Sequence, residues 1–427
     1  MEEGGFRRRR YMTLVLSGCY AVAFVDRALV GVAGVAIKHD LRLSDFDFGL
    51  LNGTAFAALF CIAGIPLGWL ADRCDQRALI AVALLFWTAM TALCGLAPSP
   101  AVFFLARVGV GLGEAALVPA AMSLMGGSVP QRQLARAVAV FLLGATFGNV
   151  IALLAGGTLL GLFTASPAFG LAPWRTIFLL ACPPGLVMAA LVLTILRPAS
   201  ARVGQDQTLR SAVKALREEA PAYGYLTAAT ACNIVLAQAQ AAWLPIFYSR
   251  HFGLAPAQGA TAVGVLFLMS APLGQGLGGS IIDGLQRRGV AAPANTMMMV
   301  CAALALPLAI LFTTADTLFV SEAFYVLFNL VVCAATPAGL TGWQLLISDR
   351  RRGVTIALLM AIVTFIGVGI GPAAVGLLTD QVFRDERDIG LSLGLLLSCA
   401  AVLGFWAARR GRAPFAAALA RKAAIPT

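Results

Sequence analysis

Hydrophobic and polar positions along the chain fall into long apolar runs separated by short polar breaks. Twelve runs cover about 11–37, 48–70, 78–97, 101–126, 137–163, 174–196, 222–249, 259–282, 291–315, 318–347, 354–379 and 388–408. Each is continuous rather than alternating, which excludes the strand pattern of a membrane barrel and predicts helices. A helix crosses the bilayer core with about 20 residues, so each run is long enough to span. The first run would make a helix near 40 Å long, which must tilt or protrude. The pattern therefore predicts an all-α membrane protein with twelve transmembrane helices. The longest polar stretch holds the charged piece Leu209–Glu219. It divides the chain into an N-terminal six-helix bundle (1–196), a cytoplasmic linker (197–221) and a C-terminal six-helix bundle with a tail (222–427).

Composition supports the pattern. Of 427 residues, 60% are hydrophobic and 12% charged, and the mean hydropathy is +0.87. Soluble domains carry about 25% charged residues, so a soluble enzyme is excluded. The net charge of +11 does not mark a nucleic-acid binder, because the basic residues sit in short loops between apolar runs. With the N-terminus in the cytoplasm, 23 of the 31 basic residues fall on the cytoplasmic side and 6 on the other. Both termini are therefore expected inside, and the abundance of Arg, Ala and Gly suggests a bacterial inner membrane. Arg7–Arg10 before an apolar run also resembles a signal peptide, but the run continues as a full span with others behind it. The nine cysteines are odd in number and show no C-x-x-C pair, and the two histidines, His39 and His251, are far apart. No metal or cofactor is expected from them.

The turn after the second run reads Gly68-Trp-Leu-Ala-Asp72-Arg73-Cys-Asp75-Gln-Arg77, and the turn after the eighth reads Gly279-Ser-Ile-Ile-Asp283-Gly-Leu-Gln-Arg-Arg288. Gly, Asp and the final Arg match at equal spacing, 211 residues apart. Self-similarity near half the chain length implies a duplicated six-helix unit, hence two pseudo-symmetric bundles. The glycines are expected to allow close helix approach, the aspartates to meet a neighbouring helix N-terminus, and the arginines to pair across the turn with another bundle's acid. Gly68, Asp72, Arg73, Arg77 and Asp283 are thus the expected cytoplasmic gate.

Four ionisable residues lie deep inside apolar runs: Asp26 and Arg27 in the first, Arg107 and Glu114 in the fourth. Each costs about 2.5–3.5 kcal/mol near the bilayer centre, so each must face the bundle interior and find a partner. Arg107 and Glu114 are seven residues apart, about 10 Å along one helical face, and can bracket a cavity. Asp26 and Glu114 are the expected proton-coupling pair, and Arg27 and Arg107 the substrate or ion-pair residues. Arg107-Val-Gly-Val-Gly-Leu-Gly-Glu114 overlaps a dinucleotide-type glycine pattern, but no strand–turn–helix surrounds it, so the glycines are read as packing residues. The Asn52-Gly-Thr54 sequon lies within a span. The second half carries neutral polar groups instead, with Asn233, Gln238, Asn329 and Trp243 expected to line a cavity. A charged half beside a neutral one suits an amphipathic substrate with an anionic or zwitterionic head.

These residues resemble the major facilitator superfamily, and within it the spinster-like group. The resemblance rests on Asp26-Arg27, Phe48-Gly-Leu-Leu51, the turn Gly68–Arg77, Ala106–Ala115 and Trp174-Arg-Thr-Ile-Phe178. It implies a fold of two rocking bundles about a central cavity, export of lysolipids or sphingoid phosphates, and coupling through Asp26, Arg107 and Glu114. Two departures stand out. Asp75 replaces the usual Gly of the turn, and Asn149 follows Gly144-x-x-x-Gly148 where an antiporter signature has Pro. The expectation is a monomeric, proton-coupled secondary transporter in lipid bilayer, with a small-molecule or lipid substrate. The alternatives are a small organic-anion symporter or drug exporter of the same superfamily, and a membrane sensor that transports nothing. An enzyme is not expected, since no Ser/His, His/Asp or metal constellation is present.

Overall fold

The computed structural model describes residues 2–71, 73–167, 170–196, 216–347 and 352–423. These residues are helical apart from short turns, with no strand among them. Eleven of their helices are long and apolar enough to cross a membrane. The seventh predicted run is the 33-residue helix Ala220–Phe252, which has the length but not the hydropathy. Asn233, Gln238 and Gln240 lower it, and their placement explains how it is tolerated: much of this helix is buried within its own unit.

Several predicted spans are bent where the sequence gives a reason. The first runs as Glu2–Val32, breaks at Ala33 and continues as Gly34–Leu41. The fourth stops at Glu114 and resumes at Leu117–Ser128. Pro119, in the first turn of the new piece, has no N–H to continue the old ladder. The sixth breaks at Ala181, just before Pro183 and Pro184. The second contains a π-helical turn, Leu50–Thr54, before Ala55–Ala71. Another π turn, Phe365–Ile370, precedes Pro372 in the eleventh. Such wide turns cluster at functional positions because they rotate the side chains that follow.

Contacts group the described chain into two units. One holds Met1–Gln205 together with Leu254–Val265, and the other holds Asp206–Gly253 with Leu266–Thr427. The first turns of the eighth helix, Pro256–Arg287, thus belong with the first unit, where Gly264 lies against Leu153 and Leu154. Most of the predicted linker, residues 197–215, is outside the described residues.

In the first unit, Gly144 and Gly148 let the fifth helix, Gln131–Ala165, lie directly on the backbone of the first at Ser17 and Ala21. A Cβ at either position would collide with a carbonyl oxygen there. Small residues substitute for hydrophobic drive between helices in lipid, by letting backbones touch. In the second unit, the long last helix Ile389–Ala423 packs Phe415 into the apolar core and ends on Lys422. Lys422 Nζ donates to the carbonyls of Leu345 and Ile347, at 2.8 and 2.9 Å, capping the tenth helix, Leu318–Leu346.

Candidate functional site

Asp26 and Arg27 are neighbours on one helix and so point about 100° apart. That angle sends them to different partners. Asp26 turns toward the third helix, Gln76–Leu96, where Thr91 Oγ1 donates to its Oδ2 at 3.2 Å. Trp87, one turn before Thr91, is wholly buried. Arg27 turns toward the end of the fourth helix, and its Nε donates to Glu114 Oε2 at 2.6 Å. Asp26, Arg107 and Glu114 are 2%, 1% and 1% exposed, whereas the Arg27 side chain keeps 18% of its surface open.

The fourth helix can reach this position because of its glycines. A Cβ on Gly111 would strike the carbonyl of Phe56 on the second helix, and one on Gly113 would come within 2.8 Å of Trp87 Cβ. Gly109 faces the Met90 side chain at 2.6 Å in the same sense. The glycine run is therefore a packing surface for two neighbouring helices, as its sequence context suggests. By seating the second helix so closely, it brings Phe56 under both arginines. The Arg27 guanidinium carbon lies 4.4 Å from the Phe56 ring centroid, 4.7 Å from Phe24 and 5.1 Å from Phe60. Arg107 lies 5.5 Å from the same Phe56 ring.

The cluster is incompletely paired. Glu114 Oε1 and Arg107 Nε are buried without a hydrogen-bond partner among the described residues, while the Trp87 indole lies beside the Asp26 carboxylate. Buried polar atoms are nearly always satisfied, and groups left open gather where water, protons or ligands come and go. The first unit thus brings together all four sequence-predicted membrane charges. It adds Thr91 and three phenylalanines that no feature of the hydrophobic pattern marks out. Phe56 and Phe60 are four residues apart, and so are Trp87 and Thr91, which places each pair on one helix face. In a chain with 25 phenylalanines that spacing carries no distinguishing signal.

The neutral residues of the second unit are arranged differently. Asn329 donates to Ser270 Oγ at 2.7 Å and accepts from Gln240 Nε2 at 3.3 Å, while Tyr325 donates to Gln240 Oε1 at 2.8 Å. This closed network ties three helices and leaves Asn329 1% exposed. Trp243 is fully buried and donates to the Pro372 carbonyl at 2.9 Å. In this structure Asn329 and Trp243 join helices, because a buried amide or indole in lipid takes the nearest backbone or side-chain partner. Asn233 does border a small cavity with Cys232, Leu236 and Met298, and donates to Val332 O at 3.3 Å. Gln238 is half-buried and stands outside the network.

The turn after the second predicted run is partly described. Asp72 lies outside the described residues. Arg77 pairs with Asp75, two residues earlier, at 2.8 Å, and donates to the Ile195 carbonyl at 2.5 Å. Asp75 is the N-cap of the third helix, accepting from Arg77 N at 3.1 Å, so the residue that departs from the superfamily turn has a capping role. Arg73 stacks 4.1 Å from the Trp69 ring. A Cβ on Gly68 would meet Pro119 only at 3.8 Å, and one on Gly279 would meet nothing. Neither glycine is required by close packing, in contrast to Gly111 or Gly144. Asp283 is exposed.

Comparison with known proteins gives a consistent outcome. A family profile described as Major Facilitator Superfamily matches residues 16–372. The chain is 28% identical to an MFS-type efflux pump of Mycolicibacterium smegmatis, over 93% of this chain and 91% of that protein. It is also 28% identical to a gentisate transporter of Corynebacterium glutamicum, over 47% of this chain and 44% of that one. Two crystal structures of a bacterial homolog of the human lysosomal transporter Spinster share its fold. The inward-facing, unoccupied form has a TM-score of 0.82 at 23% identity, covering 98% of this chain and 99% of that one. The inward-facing, occupied form has a TM-score of 0.76 at 25% identity, covering 97% and 95%.

Proposed function

Because the chain belongs to the Major Facilitator Superfamily, and is a membrane transporter rather than an enzyme, we propose that it is a proton-coupled carrier of an amphipathic, lysolipid- or sphingolipid-like substrate. The observation that carries this reading is the buried cluster of Asp26, Arg27, Arg107 and Glu114 with its open hydrogen-bonding atoms. Two carboxylates and two guanidiniums in oil change their affinity for a proton whenever water reaches them from a new side. In alternating access they meet water from each side in turn, so proton and substrate movement are linked. Asp26 and Glu114 carry the proton, Arg27 and Arg107 hold the anionic head, and the partly buried rings of Phe24 and Phe60 beside Arg27 suit a greasy body. The turns around Arg73, Arg77 and Asp283 act as the cytoplasmic gate. The protein works as a monomer in a bacterial inner membrane with both termini in the cytoplasm.

A second reading has its own support. The similar gentisate transporter points to a small organic anion, which the same two arginines would also bind. The similar efflux pump of M. smegmatis agrees with outward movement of the substrate. Purified protein in liposomes, loaded with lysolipid or with an organic acid and placed in a pH gradient, separates them. We expect uphill lysolipid flux that is lost in Asp26→Asn and in Glu114→Gln while both variants remain folded. Wild-type uphill flux in both variants overturns the coupling assignment, and flux of organic acids alone overturns the lipid assignment.

A further inference from the structure

The Arg27–Glu114 pair uses only part of its bonding capacity. Arg27 gives Glu114 one bond, from Nε. Its Nη1 and Nη2 donate to no acceptor among the described residues, and the wholly buried Glu114 Oε1 accepts from none. An arginine–carboxylate pair arranged for strength closes both oxygens in a fork. Here the guanidinium instead sits among Phe24, Phe56 and Phe60, all within 5.1 Å of its carbon. Tyr20 extends this wall, 4.9 Å from Phe24 and stacked 4.6 Å from Phe141. Several aromatic rings around one cation, with a carboxylate behind them, form the kind of seat that receives organic ammonium groups.

We propose that this cage is an exchange seat for the ammonium of a zwitterionic amphiphile. The substrate's anion draws Arg27 out of the cage through the two idle amino groups. The substrate's ammonium then takes its place between the rings and Glu114. This inference rests on the reading of the cluster as the substrate site and adds the charge pattern of the head group.

The physical reason is charge balance. Glu114 is 1% exposed in this structure, and withdrawing the one cation bonded to it would leave a buried carboxylate without its hydrogen-bonded partner, which is unfavourable. Replacing one cation by another keeps the carboxylate neutralised at every step. A neutral amphiphile has nothing to draw Arg27 away, and a simple anion draws it away without compensating Glu114. The seat therefore selects a head carrying both charges over a head carrying one or none. The phenylalanines make the selection independent of hydrogen-bond donors, so a quaternary ammonium is accepted as well as a primary one.

The test compares two ligands that differ only in charge. Hexadecylphosphocholine and its 3,3-dimethylbutyl ester, in which carbon replaces the choline nitrogen, are titrated onto the full chain in neutral-lipid bilayer discs. The choline ester is expected to bind about tenfold tighter. Phe24→Leu and Phe60→Leu, singly and together, are expected to weaken the choline ester alone and bring the ratio toward one, whereas Phe60→Tyr keeps it. Thermal melts report whether each variant is folded. If the double variant does not fold, Phe60→Leu decides, since Phe60 is only half-buried. Equal wild-type affinity for the two esters overturns the exchange and leaves the carrier reading standing. Binding of neither ester overturns both. A tenfold ratio that survives in folded Phe60→Leu and Phe24→Leu removes the cage from the account.

Discussion

At the scale of residues, the first unit separates two neighbouring charges by the turn of a helix. Asp26 is held by a threonine hydroxyl and Arg27 by a carboxylate. The two contacts differ in what their loss would do. Removing Arg27 alone leaves Glu114 buried without its hydrogen-bonded cation, a change that costs about 3–5 kcal/mol in comparable buried pairs. We therefore expect Arg27→Ala to lower the melting temperature strongly in detergent. The double variant Arg27→Ala/Glu114→Gln should recover most of that loss, because the orphaned charge is gone. A double variant that melts as low as the single one would mean the pair is not the source of the effect. The four charges were legible in the sequence, because a charge in an apolar run is conspicuous. Their pairing was not, because helix rotation and the closeness of neighbouring helices decide which of two adjacent residues meets which partner.

At the scale of elements, glycines divide into those that let helices touch and those that do not. Gly111 sits against the Phe56 carbonyl, while Gly279, in the repeated turn, faces open space. An Ala at position 111 must push two backbones apart, and overpacking of this kind costs about 1–3 kcal/mol. We expect Gly111→Ala to lower the melting temperature and impair transport, whereas Gly279→Ala leaves the melting temperature unchanged. Equal melting temperatures for the two variants would contradict this packing. The sequence repeat singled out the two turns, and in this structure a Cβ on either glycine would meet no neighbour closer than 3.8 Å. Spacing along a chain reports which residues recur, not how near the next helix comes. The bends had better sequence signals, since Pro119 and the Pro183-Pro184 pair interrupt the fourth and sixth helices where ladder donors are lost. The π turn at Leu50–Thr54 had none, because no residue type enforces it.

For the whole molecule, the distribution of basic residues makes a prediction about orientation. Loops rich in arginine remain on the cytoplasmic side during insertion. A cysteine placed after Lys422, in a chain whose exposed native cysteines are replaced, should react with an impermeant maleimide only after cells are opened. Labelling in intact cells would reverse the assignment. The last helix bears on the same end of the molecule. Lys422 closes the free carbonyls of the tenth helix, and Arg421 pairs with Glu219 at 2.5 Å. Lys422→Ala is expected to reduce stability by about 1 kcal/mol, the usual net value of such hydrogen bonding. An unchanged melting temperature would show that the cap is dispensable.

The sequence by itself determined the helical membrane class, the placement of most spans and the identity of the four membrane charges. These follow from composition and hydropathy along a single chain, since lipid admits few backbone solutions and penalises every stray charge. The polar seventh helix, Ala220–Phe252, marks where hydropathy stops being sufficient: its amides are tolerated because other helices enclose them. Only the tertiary structure decided that Arg27 rather than Arg107 bonds Glu114, that three phenylalanines surround Arg27, and that Asn329 and Trp243 bond across helices. Those outcomes depend on the rotation and separation of helices far apart in sequence, which small residues such as Gly111 set through contact with a neighbour's backbone.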